Sequence, residues 1–116
     1  VRRIGVTGGR EFEGAASVCH AFTTYVHLDD LIVEGGARGA DAICRAEAQL
    51  RGVKVETHSA DWKRHGKAAG FIRNQEMVDS GLDLLIAFPG GKGTADMVRR
   101  AENAGITVIL SAQGDG

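Results

Sequence analysis

The sequence holds a single proline, Pro89, and only two cysteines, Cys19 and Cys44, in 116 residues. Cysteines that few make neither a disulfide framework nor a zinc pattern, and they fit reduced thiols in a cytoplasm. No apolar run approaches the ~20 residues that cross a bilayer. The opening Val1-Arg2-Arg3-Ile4-Gly5 lacks the apolar stretch of a secretory signal. Aromatic residues make up 5% of the chain, few for a protein that binds single strands by stacking bases along a platform. The net charge is −1, so no global field draws the chain to nucleic acid. The four histidines, His20, His27, His58 and His65, show no triad or metal-ligand spacing, and no metal is expected.

Glycine is abundant instead, at 17 residues, about twice the ~7% average share. Glycine without proline points to turns and close backbone approaches rather than spacers. Hydrophobic residues at 43% and charged residues at 25% are those of an ordinary globular protein. The length predicts one domain over residues 1–116.

Short β-like runs alternate with helical stretches. Arg3–Val6 reads as strand one, Asp30–Glu34 as strand two, Val53–Thr57 as strand three, Leu84–Phe88 as strand four and Thr107–Leu110 as strand five. Helices are expected over Ala15–His27, Asp41–Arg51, Lys67–Ser80 and from about Thr94 to Ala104, with a polar loop over Ser59–Gly66. Ile43, Ala46 and Leu50 repeat at helical spacing. Strands two, four and five are continuous apolar runs, the pattern of central parallel strands. The alternation predicts an α/β, Rossmann-like open parallel five-stranded sheet with helices on both faces. Ligands of such sheets bind beyond the carboxyl ends of the strands.

Glycines and cations sort by that rule. Gly8-Gly9-Arg10, Gly35 to Asp41 and Pro89 to Thr94 follow strands one, two and four, at the carboxyl edge. Gly52, Gly81 and Gly105 stand singly where helix C-caps belong, at the opposite edge. Arg10, Arg38, Lys63, Arg64, Lys67, Arg73 and Lys92, half of the 14 basic residues, fall in or just after carboxyl-edge loops. A near-neutral chain with a cationic rim points to a compact anionic ligand. In Pro89-Gly90-Gly91-Lys92-Gly93-Thr94 the glycines let N–H groups converge at a helix N-terminus, with Thr94 as a candidate cap. Neither glycine-rich loop has Walker A spacing, and neither gives G-x-G-x-x-G with a ribose carboxylate downstream, which argues against a dinucleotide dehydrogenase.

Four strings are similar to the YspA-type branch of the SLOG superfamily. They are Glu34-Gly35-Gly36-Ala37-Arg38-Gly39-Ala40-Asp41; Ala60-Asp61-Trp62; Gly66-Lys67-Ala68-Ala69-Gly70 with Arg73, Asn74 and Met77; and Ala87 to Met97. The resemblance runs in order along nearly the whole chain. That superfamily also contains the Lonely guy (LOG) phosphoribohydrolases and the Rossmann domain of the DNA-processing protein DprA. The resemblance implies a Rossmann-like fold, a nucleotide or nucleotide-derived ligand with no further cofactor, a bacterial or phage setting and a homodimer or higher homo-oligomer. The family's first motif is usually Gly-Ser-Arg; here it is Gly8-Gly9-Arg10, so a hydroxyl is missing while backbone donors remain. LOG enzymes, which cleave the N-glycosidic bond of nucleoside monophosphates, pair an Arg with a Glu in Pro-Gly-Gly-x-Gly-Thr-x-x-Glu. Arg73 matches that Arg, but the Glu position is Met97. Glycoside cleavage needs a carboxylate to stabilise the oxocarbenium-like charge or activate water, and a thioether does neither.

The ligand-binding residues expected are therefore Gly8, Gly9, Arg10, Gly35, Gly36, Arg38, Gly39, Asp41, Asp61, Trp62, Lys67, Arg73, Asn74, Pro89, Gly90, Gly91, Lys92, Gly93 and Thr94. Phosphate would rest on backbone donors of Gly90–Thr94 and Gly35–Gly39, with arginines giving bidentate contacts. Trp62 stacks a base or closes the sheet edge; Asp41 holds a ribose or braces its loop. If the chain is a hydrolase, Arg73 with Asp61 or Asp96 would carry the chemistry in place of the missing Glu, although Asp96 also reads as a first-turn acid favourable to the helix dipole. Cys19 and Cys44 read as small buried hydrophobes on helices. The rivals to a nucleotide-binding domain are an active phosphoribohydrolase and a DprA-like DNA-binding domain. Low aromatic content and neutral charge weigh against the latter.

Overall fold

The computed structural model describes residues 1–111. Strands β1 (Arg3–Thr7), β2 (Leu31–Glu34), β3 (Lys54–Thr57), β4 (Leu84–Ala87) and β5 (Thr107–Leu110) alternate with helices α1 (Ala15–Tyr25), α2 (Ala40–Arg51), α3 (Trp62–His65), α4 (Ala69–Asp79) and α5 (Lys92–Asn103). All neighbouring strands pair in parallel, in the order β3-β2-β1-β4-β5. The chain builds outward from β1 to β3, then crosses back to lay β4 on the other side of β1. That reversal opens a crevice at the carboxyl ends of β1 and β4, the place where open α/β sheets hold ligands.

β2, β4 and β5 feed two cores because successive side chains leave opposite faces, while β1 and β3 give their apolar side chains to one. Ile4, Val6, Ile32 and Ile86 pack with Val18, Ala21 and Phe22 of α1 and Cys44 and Ala48 of α2. Val33 and Leu85 pack on the other face with Met77 and Val78 of α4 and Met97 and Ala101 of α5. Burial on both faces is why these strands read as unbroken apolar runs rather than alternating ones. β5 is an exception to the sequence reading. It is an edge strand, not a central one, with Leu110 75% exposed. Val108 and Ile109 pack on opposite cores, and that alone accounts for its apolar run.

Other differences are local. α1 stops at Tyr25, where the Val26 N–H closes on the Phe22 carbonyl, and residues to His27 lie outside it. The expected loop contains a helical turn, α3, because the Asp61 side chain accepts from the Arg64 N–H (3.1 Å) and caps it. A 3₁₀ turn over Gly66–Ala68 precedes α4, so Lys67 is not in the α-helix proper. α5 begins at Lys92 with Gly91 at its N-cap; Thr94 lies inside the first turn and is not the cap. Gly52, Gly81 and Gly105 all have positive φ and follow α2, α4 and α5, as C-terminal glycines should. Cys44 is buried, but Cys19 is exposed, its Sγ 3.4 Å from an Arg51 nitrogen.

Candidate ligand cleft at the carboxyl edge

Three glycine-bearing loops interlock at the crevice. The Gly9 N–H donates to the Pro89 carbonyl (2.9 Å), and the Gly9 carbonyl accepts from the Ala40 N–H (3.1 Å). Gly39 has φ +74, and a Cβ there would collide with the Gly9 and Arg10 carbonyls. Only glycine meets both conditions, so the β2–α2 loop can lie directly on the β1–α1 loop.

The resulting cleft has a volume of about 340 Å³. Its floor comes from Val6, Thr7 and Gly8 at the end of β1, and one wall from Gly91, Gly93 and Thr94 at the start of α5. The first N–H groups of α5 have no partner within the helix, and the helix dipole adds positive potential there. Arg10, Lys67 and Arg73 supply formal charge around the same space. Trp62 and Phe71, 48% and 42% exposed, stand at the mouth. The Arg10 guanidinium lies 5.1 Å from the Trp62 ring centroid, a cation–π contact that holds both on the rim.

Arg73 is half-buried and held from two sides. Its Nη1 donates to the Gly35 carbonyl (2.5 Å) and its Nε to Asn74 Oδ1 (3.0 Å). Asn74 in turn donates to the Gly93 carbonyl (3.2 Å) and to Asp96 (3.0 Å), tying α4 to α5. Burial lowers the Arg73 pKa from its ordinary value, and a guanidinium starts so high that it stays charged.

Asp41 is buried beside it, where Gly35 lacks the Cβ that would otherwise meet both side chains. Its carboxylate accepts from the Gly35 and Ala37 N–H groups, each at 3.2 Å. Burial pushes its pKa up to about 6, reinforced by the charge of Glu34 and opposed by the two N–H donors and Arg73. Glu34, fully buried, accepts from the Gly36 N–H (2.7 Å), from Thr57 Oγ1 and from Arg45 (3.3 Å). The N–H groups of Gly35, Gly36 and Ala37 are thus engaged by the chain's own carboxylates. This counts against phosphate resting on Gly35, Gly36 and Ala37, three of the donors expected over Gly35–Gly39.

Of the residues expected at the site, Gly8, Gly9, Arg10, Gly35, Asp41, Trp62, Lys67, Arg73, Asn74, Gly91, Gly93 and Thr94 line the cleft. Gly36 and Arg38 lie in an adjoining groove, where Arg38 pairs with Glu11 (2.6 Å). Pro89 and Gly90 line a shallow hollow behind the loops, and Gly39 serves loop packing. Lys92 and Asp96 face a further groove beside α5. Asp96 is buried, in the second turn rather than the first, and is bound by Asn74, Arg99 and Arg100. Neither Asp96 nor Asp61, which caps α3, lines the cleft. The position of the enzymatic Glu, Met97, is wholly buried in the second core. Phe71 and Gly70 were missed as site residues. Their signal was available: Gly70 and Phe71 stand four and three residues before Asn74 on one helix face.

Comparison with known proteins now bears on this geometry. The sequence model of the YspA, cpYpsA-related SLOG family (YAcAr) matches residues 2–65, from β1 through α3. The chain belongs to this family. Beyond the matched segment, likeness continues to the "Gene 61 protein" of Mycobacterium phage D29, which is 42% identical over 119 residues, covering 94% of this chain and 95% of the phage protein. The crystal structure of TM1055, a structural-genomics target, superposes with a TM-score of 0.72 at 16% identity, covering 95% of this chain and 74% of that one, and so shares the fold. In this SLOG chain no described helix is long and apolar enough to cross a membrane.

Proposed function

We propose that the cleft binds a nucleotide or nucleotide-derived phosphate ligand. The phosphate sits at the N-terminus of α5 against Gly91, Gly93 and Thr94, Arg73 and Arg10 neutralise it, and the base lies toward Trp62. The observation that carries this reading is the convergence of a helix N-terminus, three cations and two exposed aromatics on one cleft at the switch point of the sheet. Family membership supports it. Backbone donors and helix dipole suit phosphate, while exposed rings suit the flat base.

The test is thermal melting with AMP, ADP and ADP-ribose. A ligand at one hundred times its dissociation constant adds about 2.7 kcal/mol of stability, which appears as a melting shift. Arg73→Ala should abolish the shift. If millimolar concentrations of all three leave the melting temperature unchanged, nucleotide binding is the wrong function. The homodimer and the cytoplasmic setting expected from the sequence carry over as proposals; light scattering tests the first.

Hydrolysis of a nucleoside monophosphate is a second reading, favoured by one observation. Asp41 is the carboxylate that lines the cleft, it stands beside Arg73, and it titrates near 6. Water would add to C1′ as the C–N bond breaks and the base leaves protonated, with Asp41 in place of the absent Glu. Adenine release from AMP by the native protein, lost in Asp41→Asn at matched folded concentration, would establish this reading. Binding without release would leave the first.

A further inference from the structure

Beside the cleft, on the far side of Phe71, lies a second groove of about 470 Å³ lined by Phe71, Lys92, Ala95, Asp96, Arg99 and Arg100. Phe71 belongs to both hollows, so the two spaces meet at its ring. α5 supplies the shared wall. Gly91, Gly93 and Thr94 at its start face the cleft, whereas Lys92, Ala95, Asp96 and Arg99, spaced i, i+3, i+4 and i+7, form one stripe along the groove. The groove carries three cations against one carboxylate. That carboxylate is saturated: Asp96 accepts from Arg99 Nη2 (2.6 Å), Arg100 Nε (2.8 Å) and Asn74 Nδ2 (3.0 Å). Arg100 is held further by Gln75 Oε1 (2.8 Å), while the Arg99 side chain stays 63% exposed and Lys92 is exposed at the first turn of the helix. Asp96 therefore organises the guanidinium groups at the wall and leaves the groove with net positive charge.

We propose that this groove is a subsite for a second phosphate. The site then takes nucleotides carrying at least a diphosphate, the first phosphate at the α5 N-terminus and the next directed toward Lys92 and Arg99. The proposal rests on the nucleotide reading of the cleft and narrows its ligand class. A monophosphate fills the cleft alone and does not engage the groove. A diphosphate adds charge within reach of Lys92 at the same helix end, with Arg99 two turns along the stripe.

The experiment follows Trp62, the sole tryptophan, by fluorescence while AMP and ADP are titrated at low salt into the native protein, Lys92→Ala and Arg99→Ala. ADP should bind the native protein more tightly than AMP, and each variant should weaken ADP about fivefold more than it weakens AMP, the scale of one close charge pair in water. Circular dichroism melts confirm that both variants fold, and Arg99→Lys should restore part of the ADP preference. AMP binding with no preference for ADP, or variants that weaken both nucleotides equally, overturns the groove proposal and leaves the cleft reading intact. Binding of neither nucleotide by melting or fluorescence overturns both.

Discussion

Asp41→Asn separates the electrostatics of the cleft from its architecture. The native carboxyl titrates near 6 instead of its usual 3.8, chiefly because it is buried. An acid whose pKa is raised in the folded state stabilises the protein below the unfolded pKa, and that contribution is lost as pH rises through the folded value. The window here runs from about pH 4 to just above 6. A shift of two units corresponds to about 3 kcal/mol, so at pH 8 the ionised Asp41 opposes folding by roughly that amount. Asn keeps an oxygen that accepts from the Gly35 and Ala37 N–H groups while losing the charge. Urea denaturation of both proteins from pH 4 to pH 8 gives the stability difference at each pH, and other titrating groups cancel in that difference. The difference should move by about 2.5 kcal/mol in favour of Asn between the two ends of the range. A difference that stays flat with pH would mean that Asp41 ionises in the fold as it does in water, and the argument from burial would fail.

Four further outcomes follow from the same geometry. Gly39→Ala, forced into φ +74 against the Gly9 and Arg10 carbonyls, should lower stability by about 2 kcal/mol or more; Gly91→Ala, where φ is −102 and no atom lies within 4 Å of the added carbon, should melt like the native protein yet lose its ligand-induced shift. Met97→Glu places a carboxylate among Val33, Met77 and Leu85 and should destabilise by about 3 kcal/mol or prevent folding; a variant of native stability would mean that residue 97 can turn to the cleft. Arg3 and His58 hold the Glu56 carboxyl down to about 2 from 4.5, so its stabilisation is present above about pH 4.5 and lost as pH falls through 2. Since Glu56 is 35% exposed, Glu56→Gln should cost about 1 kcal/mol at pH 7 after screening and progressively less as pH falls from 4.5 through 2, as read by chemical denaturation.

Periodicity and punctuation determined the architecture. Apolar runs separated by helical stretches left a parallel sheet as the available arrangement, and the glycines divided between capping helices and lining one sheet edge. That division placed the glycine-lined cleft at one sheet edge in the sequence itself, because backbone conformation at a βα turn is a local property and glycine marks it. The motif around Gly36 lies within the segment that the family model matches, residues 2–65.

Tertiary structure decided which groups face which space. Strand order is not encoded in the apolar content of a single run, so β5 read as central although it lies at the edge. The acids were decided by packing across the sequence. Asp96 meets Asn74 and two arginines, Asp61 turns back to cap its own helix, and Asp41 alone of the three is left in the cleft with its carboxyl desolvated. Glu34 and Asp41 occupy the N–H groups of Gly35, Gly36 and Ala37, an engagement that a glycine count cannot register. Burial and hydrogen bonding are sums over neighbours distant in the chain, whereas turns and periodicity are written within a few residues; the sequence could therefore place the glycine-lined edge of the sheet, and only the packed molecule could say which side chains face the cleft there.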